Sequence, residues 1–289
     1  MKVSQAYQTN QQPLYGRPFA LIAIAGFLLT VMLHTGAVAQ TKSSQGIRNI
    51  VIVHGAWADG SCWSKVTPLL QTKGLHVVAV QNPLTSLADE VAATRRAIAL
   101  QDGPVLLVGH SYGGAVITEA GNDPKVVALV YVAAFAPSSG ESVSSIAKLF
   151  PPPPLFSEVR ASAGGFLTVT AKGIAEDFAQ DLPDTEKQVL TATQAPTAAA
   201  VFEAAITTAA WKTKPSWFVI ASNDRAVAAE LEKSEAVAMK ATSITVPSSH
   251  VVMLSHPIEV ADVIEQAAAI EAGRAQFAPA PANSMTSQN

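Results

Sequence analysis

The sequence predicts an α/β fold, a mostly parallel central sheet flanked by helices with a helical cap inserted in it, and three observations predict it. Short apolar, β-branched runs alternate with longer stretches of helical period, the signature of βαβ units whose strands are buried on both faces. One segment, 137–214, interrupts that alternation. The chain of 289 residues is 49% hydrophobic, enough to fill one large core.

Strands are expected at 50–53, 77–80, 105–108, 126–132, 217–221 and 244–246, and helices at 64–73, 87–100, 112–121, 227–240 and 258–272. The first helix stops at Gly74, a residue that readily takes the left-handed conformation closing a helix. The third stops at Asn122-Asp123-Pro124, which no helix continues through. Within 137–214 no strand is expected: Pro151 to Pro154 bar regular structure, and helical patterns follow at 174–180, 184–192 and 198–209. Helices inserted between two strands cap the carboxyl edge of a sheet, where open α/β sheets bind ligands. The core is therefore read as 40–136 with 215–273, and the cap as 137–214.

The amino terminus reads as a signal peptide over residues 1–39. Lys2 and Arg17 lie in a polar stretch, an apolar run covers 19–33, and Ala37-Val38-Ala39 supplies small residues for cleavage before Gln40. The run is shorter than the roughly 20 apolar residues that span a bilayer, so export to the periplasm or medium is expected, without stable membrane insertion once the leader is removed. An uncleaved anchor is the alternative. The tail at 274–289, rich in Ala, Pro and Ser, is expected to be disordered.

A net charge of -3 with no Lys/Arg cluster offers no field for a polyanion, so nucleic acid is not an expected partner. Cys62 is the only cysteine, which excludes an intrachain disulfide, a CxxC redox pair and any zinc site with two thiolates. No histidine and carboxylate cluster has ligand spacing, so neither a metal nor an organic cofactor is expected.

The strongest local signal is Gly109-His110-Ser111-Tyr112-Gly113, extended by Gly114. It follows the apolar run VLLV and precedes a helical stretch, the setting in which a serine is forced onto a tight, strained turn with its Oγ exposed. Gly109 and Gly113 keep side chains out of a turn where backbones crowd. A serine hydroxyl needs a base, and the chain has six histidines. His34 lies in the leader, His54 in the first sheet loop, His76 at a strand start, and His110 inside the turn, pointing away from the serine oxygen. His250, in the loop past the last strand, is the expected base. Its rival His256 precedes Pro257 at a helix start, where capping or packing suits it better. The base needs a carboxylate to hold one tautomer. Asp224 directly follows the strand WFVIA and keeps the order Ser, acid, His, with Glu141 as the fallback. Two amides must receive the oxyanion: that of Tyr112, and one from the loop His54-Gly55-Ala56-Trp57, assigned to Ala56. Trp57 and Trp63 read as pocket wall or core.

The run IVIVHGAWADGSCW, the turn VGHSYGG, the block VIASNDRAV and the final SSHVVMLSHP together resemble the α/β-hydrolase superfamily. Within it they are similar to the compact bacterial carboxylesterases akin to plant methyl esterases and hydroxynitrile lyases. The resemblance covers residues 49–268. It implies Ser111, Asp224 and His250 as a catalytic triad, Ala56 and Tyr112 as the oxyanion hole, and a cap between the sixth and seventh strands of the family's eight-stranded sheet. The family's usual leading antiparallel strand pair is missing here, a feature of its compact members.

The expected activity is cleavage of a small, largely apolar carboxylic ester, a reading supported by a cap rich in Ala, Leu, Phe and Pro. Lactone hydrolysis, C–C bond hydrolysis and perhydrolysis run on the same triad. Hydroxynitrile lyases carry a threonine near the oxyanion site and a lysine after the catalytic histidine, where this chain has Gly55-Ala56 and Val251. A dehalogenase needs a carboxylate where Ser111 stands. A binding protein on this scaffold is the rival from another class, and such proteins usually lose a member of the triad.

Overall fold

The computed structural model describes residues 46–274, and the side chains of 46–269. The expected leader lies outside the described residues, as does the expected tail beyond Arg274, the residue that closes the last helix. Six parallel strands form the central sheet: β1 (Asn49–Val53), β2 (His76–Val80), β3 (Val105–His110), β4 (Val126–Val132), β8 (Ser216–Ala221) and β9 (Thr242–Val246), in the order β2-β1-β3-β4-β8-β9. Every strand expected for the core is present, most of them a residue or two longer. β1 and β3 are buried throughout, while of the edge strands β2 is mostly half-buried and β9 exposes all but its last residue.

Alternation along each strand splits the core into two layers. Ile50 and Ile52 face one with Trp63, Leu70 and Ile264, and Val51 and Val53 face the other with Ile98, Val116 and Leu231. The helices supplying these layers from the first half are α1 (Val66–Thr72), α2 (Leu87–Ala99) and α3 (Gly113–Ala120). The start expected at 64 for the first helix is later in the structure, because Gly60–Trp63 forms a 3-10 turn capped by Asp59, whose carboxylate accepts from the Ser61 amide.

The expectation of a purely helical cap is corrected. Between β4 and β8 lie the helices α4 (Val143–Ala147), α5 (Ala171–Gly173), α6 (Asp184–Thr193) and α7 (Ala200–Glu203), and also an antiparallel sheet of β5 (Val159–Ala161), β6 (Phe166–Val169) and β7 (Thr197–Ala198). Strands of two to four residues are too short to show a period of two. The helix expected at 198–209 shrinks to α7, since Thr197–Ala198 pairs with β6. The helical pattern at 174–180 is a π-turn, Ile174–Phe178.

The chain then returns through β8, α8 (Ala229–Ala238), β9, α9 (Val252–Ser255) and α10 (Pro257–Arg274). No helix of the described residues is long and apolar enough to cross a membrane. The strand order places β1 beside β3, yet β1 connects outward to β2 and β3 connects the opposite way to β4. Loops leaving neighbouring strands in opposite directions open a crevice at their carboxyl ends. The loop of Gly55 and the turn of Ser111 flank that crevice.

Candidate active site

Ser111 sits between the end of β3 and the start of α3 with φ 53°, a left-handed conformation that a non-glycine residue adopts only under constraint. The constraint is backbone packing. A methyl on Gly109 would lie 2.6 Å from the Gly113 carbonyl oxygen, and one on Gly113 would lie 2.7 Å from the carbonyl oxygens of both Val53 and His54. None of these atoms can swing aside. Gly113→Ala is therefore expected to cost about 2–3 kcal/mol of stability, in the range of core overpacking, read as a lowered urea midpoint.

Asp224 occupies the turn after β8, where its Oδ1 accepts from the amides of Ala226 at 2.6 Å and Val227 at 2.9 Å. Its Oδ2 stands 2.6 Å from His250 Nδ1, and neither side chain is more than 1% exposed. This contact assigns the proton to Nδ1 and leaves Nε2 as the free basic nitrogen. Ser111 and His250 line one cavity. No hydrogen bond joins Ser111 Oγ to His250 among the described residues, and such contacts commonly tighten only when substrate binds.

The other histidines make contacts of their own. His110 is fully buried. Its Nε2–H donates to the His250 carbonyl at 3.0 Å, and its ring lies 4.6 Å from that of His250. Burial pushes its pKa well below the usual histidine range, so it is a neutral strut behind the site. His54 accepts from the Asn82 amide through Nε2 and donates from Nδ1 to the Gly55 carbonyl, both at 2.9 Å. Burial lowers its pKa too. His76 sits at the sheet edge near Gln101, and His256 ends α9 with Nδ1 at 3.0 Å from Ser255 Oγ. Glu141, the fallback acid, is exposed and accepts from the Ser138 amide.

A methyl on Gly55 would meet Ser111 Cβ at 2.6 Å, so only glycine lets this loop approach the serine so closely. Among the described residues the amides of Ala56 and Tyr112 have no hydrogen-bond partner. Free N–H groups at a buried position suit an anion. Trp57, with φ 56°, ties the loop to the inserted segment: its amide donates to Thr197 Oγ1 and its indole Nε1 to the Leu167 carbonyl, both at 3.1 Å. Trp57 also lines the cavity, whereas Trp63 is core at 0% exposure.

The Tyr112 hydroxyl donates to buried Glu90 in a short contact. Burial raises the Glu90 pKa to about 7. A carboxyl whose folded value is raised contributes stability below its unfolded value of 4.5 and loses it as pH climbs through 7. Relative to Glu90→Gln, the wild type is expected to lose on the order of 3 kcal/mol between these limits, measured as the difference between their denaturation free energies across pH.

One set of contacts had no sequence signal. Asp177 pairs with Arg225 at 2.7 Å, Gln180 Nε2 donates to the Asn223 carbonyl at 2.7 Å, and Asp181 Oδ2 accepts from the Ser249 amide at 2.8 Å and from Ser248 Oγ at 3.3 Å. The stretch 177–181 thus grips the loops of Asp224 and His250 together, while Phe178 sets its edge against the His250 ring at 5.0 Å. Asp181→Ala is expected to lower kcat about tenfold through a misplaced imidazole, with KM nearly unchanged in steady-state assays.

The cavity measures about 740 Å³ and is lined mostly by apolar side chains such as Trp57, Phe135, Phe156 and Phe202, with Lys148 and Glu203 as its charged members and Ser111, His250 and Ala56 also on its surface.

Residues 50–263 match the model of the alpha/beta hydrolase family. The carbendazim hydrolyzing esterase of Nocardioides sp. (strain SG-4G) is 35% identical over 135 residues, which cover 41% of this chain and 53% of that protein. Methylesterase 8 of Arabidopsis thaliana is 30% identical over 118 residues, 36% of this chain and 43% of that one. The chain spans about half the length of the curated relatives it matches. The crystal structure of polyneuridine aldehyde esterase superposes with a TM-score of 0.66 over 76% of this chain and 98% of that one, at 18% identity, a likeness of fold. With the match covering most of the sheet and both loops of the crevice, the chain belongs to the alpha/beta hydrolase family.

Proposed function

We propose that the protein is a serine hydrolase that cleaves small, largely apolar carboxylic esters. The observation that carries this reading is that His250, whose Nδ1 is held by Asp224, lines the same cavity as Ser111. His250 Nε2 takes the Ser111 proton as Oγ attacks the ester carbonyl. The amides of Ala56 and Tyr112 receive the oxyanion, and the imidazolium formed is stabilised by Asp224. His250 then protonates the departing alcohol. Water, activated by the same imidazole, attacks the acyl-enzyme and releases acid and free serine.

Relatives named as esterases support ester cleavage, and a cavity wall that is mostly aromatic and aliphatic, with Lys148 and Glu203 as its charged members, supports a largely apolar substrate. Its volume falls within the range of small-molecule sites, about 300–1,000 Å³. A panel of p-nitrophenyl esters tests the reading. Apolar acyl chains are expected to be cleaved with higher kcat/KM than a succinyl half-ester by at least about tenfold, since a carboxylate set among the aromatic side chains of the wall and out of reach of Lys148 is costly. Equal rates would overturn the proposed selectivity.

Export belongs to the same proposal. Amino-terminal sequencing of the protein recovered outside the cytoplasm is expected to begin at Gln40, and an intact Met1 would overturn it.

A further inference from the structure

We propose that Glu232, in its neutral form, is a positioning residue for the proposed catalytic acid, donating a hydrogen bond to the Asp224 carboxylate from behind. The inference rests on the triad reading of the previous section. Glu232 lies on α8, eight positions beyond Asp224, and is 0% exposed. Its Oε2 accepts from the Ala221 amide at the end of β8, at 3.0 Å. Oε1 finds no donor within the protein. A bare anionic oxygen in that position would be buried without a partner, which is strongly unfavourable.

The carboxyl does have a neighbour, and it is another carboxyl: Asp224 faces Glu232 and, after burial, does most to raise its pKa. Two carboxylates cannot donate to each other, so one of them must carry the proton. Asp224 is the worse host. Its oxygens already accept three N–H groups, from Ala226, Val227 and His250 Nδ1, and each favours the anion. Glu232 has a single donor, the Ala221 amide, and is faced by Asp224. Burial first, and then Asp224, hold its pKa well above the ordinary glutamate value. The proton therefore resides on Glu232, and the orphaned oxygen is explained as a hydroxyl rather than an unpaired anion.

The consequence is geometric. With a fourth donor behind it, added to the three N–H groups, Asp224 is fixed in rotation and its Oδ2 stays in line with His250 Nδ1. Glutamine preserves this arrangement, because its amide oxygen accepts from Ala221 and its NH₂ donates to Asp224. Methionine, of similar length, does neither.

The full-length protein tests this in two ways. In infrared difference spectra at neutral pH, wild type minus Glu232→Gln is expected to show the C=O stretch of a protonated carboxylic acid. On a p-nitrophenyl ester, Glu232→Gln is expected to keep kcat within about threefold, whereas Glu232→Met lowers kcat about tenfold or more at unchanged KM and shifts the downfield resonance of the His250 Nδ1 proton. The proposal is overturned if the protonated-acid band is absent, or if Glu232→Gln loses as much kcat as a complete loss of the donor would cause. It is overturned equally if a folded Glu232→Met keeps wild-type kcat. Should Glu232→Met fail to fold, the spectrum and the Gln variant still decide. Ser111→Ala in the same assay separates the two readings: if it remains active, the triad itself falls, whereas a Ser111-dependent enzyme without the band loses only the role of Glu232.

Discussion

Ser111→Ala is expected to lower kcat for ester hydrolysis by about 10⁶-fold, with His250→Ala close behind and the double variant no worse than either single one. Serine and imidazole act as one unit in the proposed mechanism: the hydroxyl is inert without a proton acceptor, and the acceptor has nothing to activate without the hydroxyl. Additive losses would mean that the two groups serve separate steps. The Ala56 and Tyr112 amides survive both substitutions, so a residual rate about 10³–10⁴-fold above water is expected to persist. The alanine variant keeps the strained turn, because the glycines and not the hydroxyl impose it. Stopped or discontinuous assays on the folded variants, verified by circular dichroism, supply the measurement.

Asp224→Asn is expected to lower kcat about 10⁴-fold while leaving KM within a few-fold. The asparagine still fills the turn, and its oxygen can accept from the Ala226 and Val227 amides as Asp224 Oδ1 does. The NH₂ then points at His250 Nδ1, where it donates instead of accepting. The imidazole is driven into the tautomer whose proton sits on Nε2, facing Ser111, and a nitrogen already carrying a proton cannot take another. The imidazolium also loses its counter-charge. A loss below about tenfold would show that the 2.6 Å contact does not govern the tautomer.

The core sheet and the triad candidates were legible because each follows a local rule. Apolar runs such as VLLV are buried parallel strands, and glycines at 109 and 113 mark a turn in which a methyl would strike the backbone. Position sorted the rest: Asp224 directly follows the strand WFVIA whereas Glu141 does not, and His250 lies in the loop past the last strand whereas His256 precedes Pro257 at a helix start. What escaped depends on distant partners. The strand β7 is held by pairing with β6 across about 30 residues, and β5 to β7 are each too short to leave a period. Asp181 and Gln180 look like ordinary turn residues until the fold carries them to the loops of His250 and Asp224. The bond from His110 to the His250 carbonyl joins residues 140 positions apart. Glu232 reads in sequence as one more charge on the surface of a helix, and only its burial reveals otherwise.

An active-site-directed fluorophosphonate probes the nucleophile itself. The probe forms a stable bond only with a hydroxyl activated by a neighbouring base and aligned with an oxyanion site, so it reports on Ser111, His250 and the two amides at once. Mass spectrometry of the digested protein is expected to find one adduct, on the peptide carrying Ser111, and to find none in Ser111→Ala or His250→Ala. An unlabelled wild type, or an adduct on any other residue, would contradict the account.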